Sequence, residues 1–149
     1  MSTTTVAVVA CLVAGASAAV QASLAGILGR RVGVLEATAL TAFVGMMVVL
    51  TVTTIGGRGL GGVAAGVREP WWLWIVPGLV GAVVVTTFTF APPRIGVFAT
   101  FALLIAGQLL VGVVIDATGL FGVDRFPLSG TRLAGLVLLA VGALLVLKR

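Results

Sequence analysis

Six side chains carry most of the chemistry this sequence offers: Gln21, Gln108, Trp74, Arg94, Glu36 and Asp116. Gln21 and Gln108 each stand inside a long apolar run, nine residues before Arg30 and eight before Asp116. Hydrocarbon gives a carboxamide no partner, so at that depth it either hydrogen-bonds a neighbouring helix or faces a site for substrate or water. Arg94 follows two prolines at a turn, where it can snorkel to the membrane surface or receive an anion. Trp74, with Trp71 and Trp72, is an interfacial anchor or a stacking wall for a ligand. Glu36 and Asp116 lie near the ends of apolar runs. They are candidates for coupling or gating, and Glu36 in a first helical turn also complements the helix dipole.

The types that are missing narrow the classes further. The chain has no His and one cysteine, Cys11, so it offers no internal disulfide. No nucleophile, base and orienting group occur together, and no cluster has metal-ligand spacing. No enzyme, cofactor or metal site is expected. The net charge of +5 could point to nucleic acid, but the nine Lys and Arg fall singly or in pairs at the ends of apolar runs. That placement suits membrane anchoring, not phosphate tracking, and no nucleic-acid partner is expected.

The elements that must position these groups are membrane helices. Sixty per cent of the 149 residues are apolar and nine per cent charged, and the mean hydropathy is +1.30. A soluble domain of this size leaves roughly a third of its chain surface in water and could not hide so much apolar side chain. The central stretch Pro70 to Asp116 holds two apolar runs, Trp71 to Phe90 and Ile95 to Ile115, each reaching about 30 Å at about 1.5 Å per residue. Between them Pro92 and Pro93 lack backbone donors and force one helix to stop before the next begins. An all-α polytopic fold of five spans is predicted, over about 6–28, 34–55, 71–90, 95–115 and 132–147.

Gly15, Ala18, Ala19, Ala22 and Gly26 recur at spacings of three and four in the first span, a face that lets another helix come close. The run Ala14 to Ala22 resembles a signal-peptide cleavage region and Val8 to Cys11 a lipoprotein box, but Met1 to Thr5 has no charged side chain, which disfavours both. Arg30, Arg31 and Gly33 mark a short turn. Residues 56–69, with six glycines and no following Gly-Lys-Ser/Thr, read as a mobile loop without a phosphate-binding shape.

An odd number of spans puts the termini on opposite faces. One face then carries Arg58, Arg68, Arg125 and Arg132, and the other Arg30, Arg31, Arg94, Lys148 and Arg149. Four against five gives no clear positive-inside bias. A chain that inserts both ways up can pair with an inverted copy of itself, giving a 5+5 helix bundle with the in-plane two-fold that transporters build from inverted repeats. Gln21 lies about 13 Å from the Arg30 face and Gln108 about 12 Å from the opposite one, so inversion brings them to similar depth. Glu36 and the Asp116 of such a copy would likewise share one face.

The chain resembles the small YdcZ-type bacterial membrane proteins of the drug/metabolite transporter superfamily. The matching residues are Gln21 with Leu28-Gly29-Arg30, Phe43-Val44-Gly45, Pro70-Trp71-Trp72, Pro93-Arg94 with Gly96, and Ala106-Gly107-Gln108. Further along they are Ile115-Asp116 with Gly119-Leu120-Phe121-Gly122, Pro127-Leu128, and Arg132 with Gly135. Ala25 departs from the pattern, where an Asn is expected. The resemblance implies a ten-helix architecture, from two copies of this chain or from a homologous partner chain, and transport of a small molecule by alternating access across the bacterial cytoplasmic membrane. No acidic residue lies deep in a span, which disfavours simple proton/cation antiport. A small dual-topology ion channel, for which Gln21, Gln108, Thr86, Thr87 and Thr89 are a sparse lining, and a non-transporting scaffold are the alternatives.

Overall fold

The computed structural model describes residues 3–56, 59–126 and 129–147, with no side-chain description for Leu147. Among these residues there are helices and no strands. In order they are α1 (Thr3–Val32), α2 (Val34–Ile55), α3 (Gly61–Val67), α4 (Trp72–Phe90), α5 (Pro92–Ile95), α6 (Val97–Thr118), a 3₁₀ turn (Leu120–Gly122) and α7 (Gly130–Leu147). Four segments are long and apolar enough to cross a membrane: α1, α2, Trp72–Ile95 and α6. α7 is a shorter apolar helix of 18 residues, about 27 Å long at 1.5 Å per residue.

The chain forms two compact units, Met1–Arg94 and Ile95–Arg149. In the first unit α1 packs on both α2 and α4, and α2 packs on α4. The contact face of α1 is Ala22, Ala25, Gly26 and Gly29, all buried. A Cβ added to Gly29 would come within 2.6 Å of Thr89 Cγ2, and one added to Gly26 within 3.0 Å of the Pro93 ring. These two glycines let α1 approach α4 and α5 more closely than any larger residue permits. Ala22 and Gly26 belong to the predicted small-residue face. Gly15 does not take part, with nothing within 4 Å of an added Cβ, so the close packing occupies only the C-terminal half of α1.

Thr38 of α2 joins this junction. Its hydroxyl donates to Thr89 Oγ1 at 3.2 Å or, in the other rotor setting, to the carbonyl of Val34 at 2.8 Å. Thr89 can in turn donate to its own Val85 carbonyl at 3.2 Å, so a fully buried hydroxyl is satisfied without water.

Burial is inverted relative to a soluble domain. Among the described residues, the buried apolar side chains are those of Ala22, Ala25, Ala37, Ala99 and Ala143 with Pro92, and the largest fully buried ones are Thr89 and Thr100. Large apolar side chains such as Leu12, Leu35, Val83 and Leu138 are mostly exposed. Small residues inside and large apolar residues outside are what a lipid solvent selects, because acyl chains give no hydrophobic drive for helices to associate and packing must do that work.

One backbone device occurs twice. Arg31-Val32-Gly33-Val34 and Arg94-Ile95-Gly96-Val97 each turn at a glycine with positive φ, 107° at Gly33 and 86° at Gly96, with ψ of 150° and 156°. Each glycine is the N-cap of a 22-residue helix and accepts the amide of the residue four on, Ala37 or Thr100, at 3.1 Å. This region of backbone space is open almost solely to glycine. A single residue therefore suffices to end one rod and begin the next.

The structure corrects several boundaries. α1 continues through Arg30 and Arg31, because nothing breaks the helix before Gly33. The connection 56–69, read as a mobile loop, contains α3 at Gly61–Val67, where Val63, Ala64 and Ala65 support about two turns of helix despite its three glycines. α6 runs to Thr118 and stops at Gly119, which takes the left-handed conformation (φ 69°) of a helix C-cap.

Candidate functional site

In the first unit, Gln21 projects from α1 one turn before Ala25, at the edge of the packed face, and is exposed. Its carboxamide makes no hydrogen bond to any described residue of the chain. In the second unit, Gln108 on α6 is likewise exposed and without a hydrogen-bond partner among the described residues. Gly107 beside it has open space where a Cβ would lie. Both carboxamides thus face outward from helices whose surroundings are otherwise apolar.

Arg94 is engaged locally. Its Nη1 donates to the carbonyl of Phe90 at 2.6 Å, and the guanidinium carbon lies 3.6 Å from the centroid of the Phe90 ring. The side chain folds back over the last turn of α4, where a cation meets both an unpaired carbonyl and the negative end of the helix dipole. Glu36, in the first turn of α2, bends back so that its carboxylate occupies the place where a Cβ of Gly33 would stand. It makes no capping hydrogen bond, and its charge sits by the positive end of the helix dipole.

Trp74 is about half exposed in the first turn of α4, near Trp71 and Trp72, which are also exposed. No hydrogen bond or ion pair links any two of Gln21, Glu36, Trp74 and Arg94. The threonines of α4 are also occupied: Thr86 and Thr87 donate to the carbonyls of Ala82 and Val83 at 2.8 and 2.9 Å, and Thr89 is buried. Those hydroxyls do not form a continuous polar lining.

The second unit does assemble a constellation, around Asp116. Its Oδ2 lies 3.8 Å from Arg132 Nη1 on α7. The backbone carbonyl of Asp116 accepts the amide of Phe126 at 3.0 Å, and the Phe126 ring centroid is 5.8 Å from the Arg132 guanidinium carbon. Below the ion pair, between α6 and α7, runs a groove of about 330 Å³. Leu109, Val113, Leu136 and Leu139 wall it, and Gly112 and Gly135 lie along it with nothing within 4 Å of an added Cβ. Arg132 and the two glycines were not expected as site residues. The available signal was spacing, with Gly112 one turn before Asp116 and Gly135 one turn after Arg132, so that each glycine shares a helix face with a charge.

Residues 6–145 match the family model described as "Putative inner membrane exporter, YdcZ". Over 118 residues the chain is 33% identical to the "Inner membrane protein YdcZ" of Escherichia coli (strain K12), an alignment covering 78% of this chain and 76% of that one. No solved structure matches. With four helices of membrane-crossing length and apolar composition, the chain is a multi-pass protein of the cell membrane.

Proposed function

This chain belongs to the YdcZ family, and from that starting point we propose that it exports a small molecule by alternating access, as an antiparallel pair of five-helix chains in which α7 is the fifth span. The observation that carries this reading is the exposure of Gln21 and Gln108 without hydrogen-bond partners among the described residues. A bare carboxamide in hydrocarbon is costly, so something other than lipid must cover each of them. An inverted second copy brings the two to matching depth near the midplane, where transporter sites lie. The open glycines Gly15, Gly45, Gly78, Gly81 and Gly107 support the same reading, since each offers a helix face that a second chain can approach.

In this reading Gln21 of one chain and Gln108 of the other hydrogen-bond the cargo, and Trp74 anchors the membrane boundary. Arg94 and Glu36 serve local structure, holding the end of α4 and the start of α2. A carrier suits these observations better than a channel, because the threonine hydroxyls of α4 are spent on their own backbone.

Orientation is tested by single cysteines at Thr3 and at Arg149 in a Cys11→Ala background, labelled in intact cells with a membrane-impermeant thiol reagent. About half of each variant is expected to react, since both orientations coexist. Complete labelling at one terminus with none at the other overturns the antiparallel pair. Activity is tested by comparing the small molecules released by cells that carry the wild-type chain, Gln21→Leu or Gln108→Leu. Each variant is expected to lower release of the cargo about tenfold at an unchanged melting temperature. Release equal to wild type removes the glutamines from the site.

A further inference from the structure

We propose that the groove between α6 and α7 binds a zwitterionic phospholipid of the phosphatidylethanolamine type, with its ammonium on Asp116, its phosphate on Arg132 and part of one acyl chain in the trough below. The site is distinct from the glutamine pair and does not require the chain to transport anything.

The polar end of the groove is built from two charges held close but not committed to each other. At 3.8 Å the Asp116–Arg132 contact is longer than a hydrogen bond, and the side chains of Arg132 and Asp116 remain 51% and 43% exposed. Among the described residues no hydrogen bond engages the Asp116 carboxylate or the Arg132 guanidinium. Each therefore keeps its full capacity for a charged hydrogen bond, which is the stronger kind. A singly charged ligand gains from one member of the pair and is repelled by the other. A molecule with both charges a few ångströms apart satisfies both.

Depth identifies the source of that zwitterion. Asp116 lies two residues before the end of α6 and Arg132 two residues after the start of α7, so the pair sits at the membrane-facing ends of both helices, at headgroup level. The groove below it reaches from Asp116 to Leu109. That is seven residues, or about 10 Å, within the depth of one leaflet at about 15 Å. Its walls are aliphatic, and Gly112 and Gly135 leave its length unfilled. Phe126, pinned by its amide to the Asp116 carbonyl, sets its ring 5.8 Å from the Arg132 guanidinium carbon and so flanks the cation that would take the phosphate. A headgroup with a chain below it matches this order of paired charges and aliphatic trough.

The test uses the purified full chain in maltoside micelles. Phosphatidylethanolamine, phosphatidylglycerol with the same acyl chains, and L-leucine are titrated separately, and bound adducts are read by native mass spectrometry alongside the melting temperature. Phosphatidylethanolamine is expected to bind at least about tenfold more tightly than phosphatidylglycerol, and Asp116→Asn and Arg132→Gln are each expected to remove that preference. Gly135→Leu places a side chain in open space, so it is expected to keep the melting temperature of the lipid-free protein while losing the lipid adduct. This keeps the proposal testable if a charge variant fails to fold. Equal binding of the two lipids overturns it, as does an adduct that survives Gly135→Leu. Binding of leucine without phosphatidylethanolamine overturns it in favour of a free zwitterionic solute. Conversion of a dimer to monomer by Gly135→Leu, with no change in lipid, overturns it in favour of a contact between copies.

Discussion

The α1–α4 seam and the α6–α7 seam use glycine for opposite ends. At the first, Gly29 and Gly26 are buried, and an added Cβ would run into Thr89 or the Pro93 ring. At the second, Gly112 and Gly135 face space, and the helices that carry them leave a groove of about 330 Å³ between them. The same residue type closes one pair of helices and opens another. In a membrane, where helix pairing rests on packing and not on escape from water, the first is a structural joint and the second is a surface still to be filled. Small residues in an apolar helix thus mark close approach only when something approaches.

The largest effect that tests this difference is expected at Gly29. Gly29→Val forces branched methyls into the space held by Thr89, and overpacking of this kind costs about 3 kcal/mol. The variant is expected to melt well below wild type in detergent, and to lose the junction of α1, α2 and α4 as a unit. A melting temperature within a degree or two of wild type would show that the seam is not close-packed.

Next come the two elbows. Gly33→Ala and Gly96→Ala each place a Cβ in a backbone region reserved for glycine, at a cost of about 1–3 kcal/mol. Gly33→Ala is expected to cost more, because the new methyl also displaces the Glu36 carboxylate, whereas Gly96 has nothing within 4 Å. Equal losses at both positions would mean that Glu36 moves freely. Thr89→Val is smaller again, about 1 kcal/mol, since it removes the hydroxyl that joins α4 to Thr38 while keeping the shape. Paired with Thr38→Val, its effect is expected to fall short of the sum of the two single variants, as it does for residues that share one bond.

Much of the first unit was legible in the sequence because its breakpoints are covalent. Gly33 stops α1 by its own backbone chemistry, and α2 spans the predicted 34–55. At Pro92-Pro93, where a stop was also predicted, α4 ends at Phe90 but Ala91 stays right-handed and helix resumes as α5, so the break before α6 falls at Gly96. Ala22 and Gly26 were readable as a packing face from spacing alone. The glycine-rich connection misled because glycine lowers helix propensity without forbidding a helix, and Val63-Ala64-Ala65 was enough for α3. The second unit was harder. The approach of Asp116 to Arg132 is set by the segment between them, where Gly119 takes a left-handed turn against Arg125 and the Phe126 amide returns to the Asp116 carbonyl. That closure depends on positive φ at Gly119, Phe121 and Gly122 and on one hydrogen bond across ten residues, neither of which has a spacing signature. Gln21 and Gln108 were identifiable as polar groups in apolar runs, but only the fold shows that neither has a hydrogen-bond partner among the described residues.

The smallest expected effect is the most discriminating, because it carries the opposite sign. Gly135→Ala, in α7, adds a methyl where nothing stands within 4 Å and where the backbone is already helical. Alanine is the better helix former by about 0.8–1 kcal/mol, and no clash offsets that gain. The melting temperature is therefore expected to rise slightly in lipid-free detergent, whereas Gly29→Ala, whose Cβ would lie 2.6 Å from Thr89 Cγ2, is expected to lower it despite the same gain in propensity. If Gly135→Ala instead destabilises the protein in detergent, α7 must already press against another surface there, and the open seam is covered by a second copy of the chain. If it stabilises in detergent but loses that gain once phosphatidylethanolamine is added, the methyl and the acyl chain compete for one space, and the glycine is there to keep that space clear.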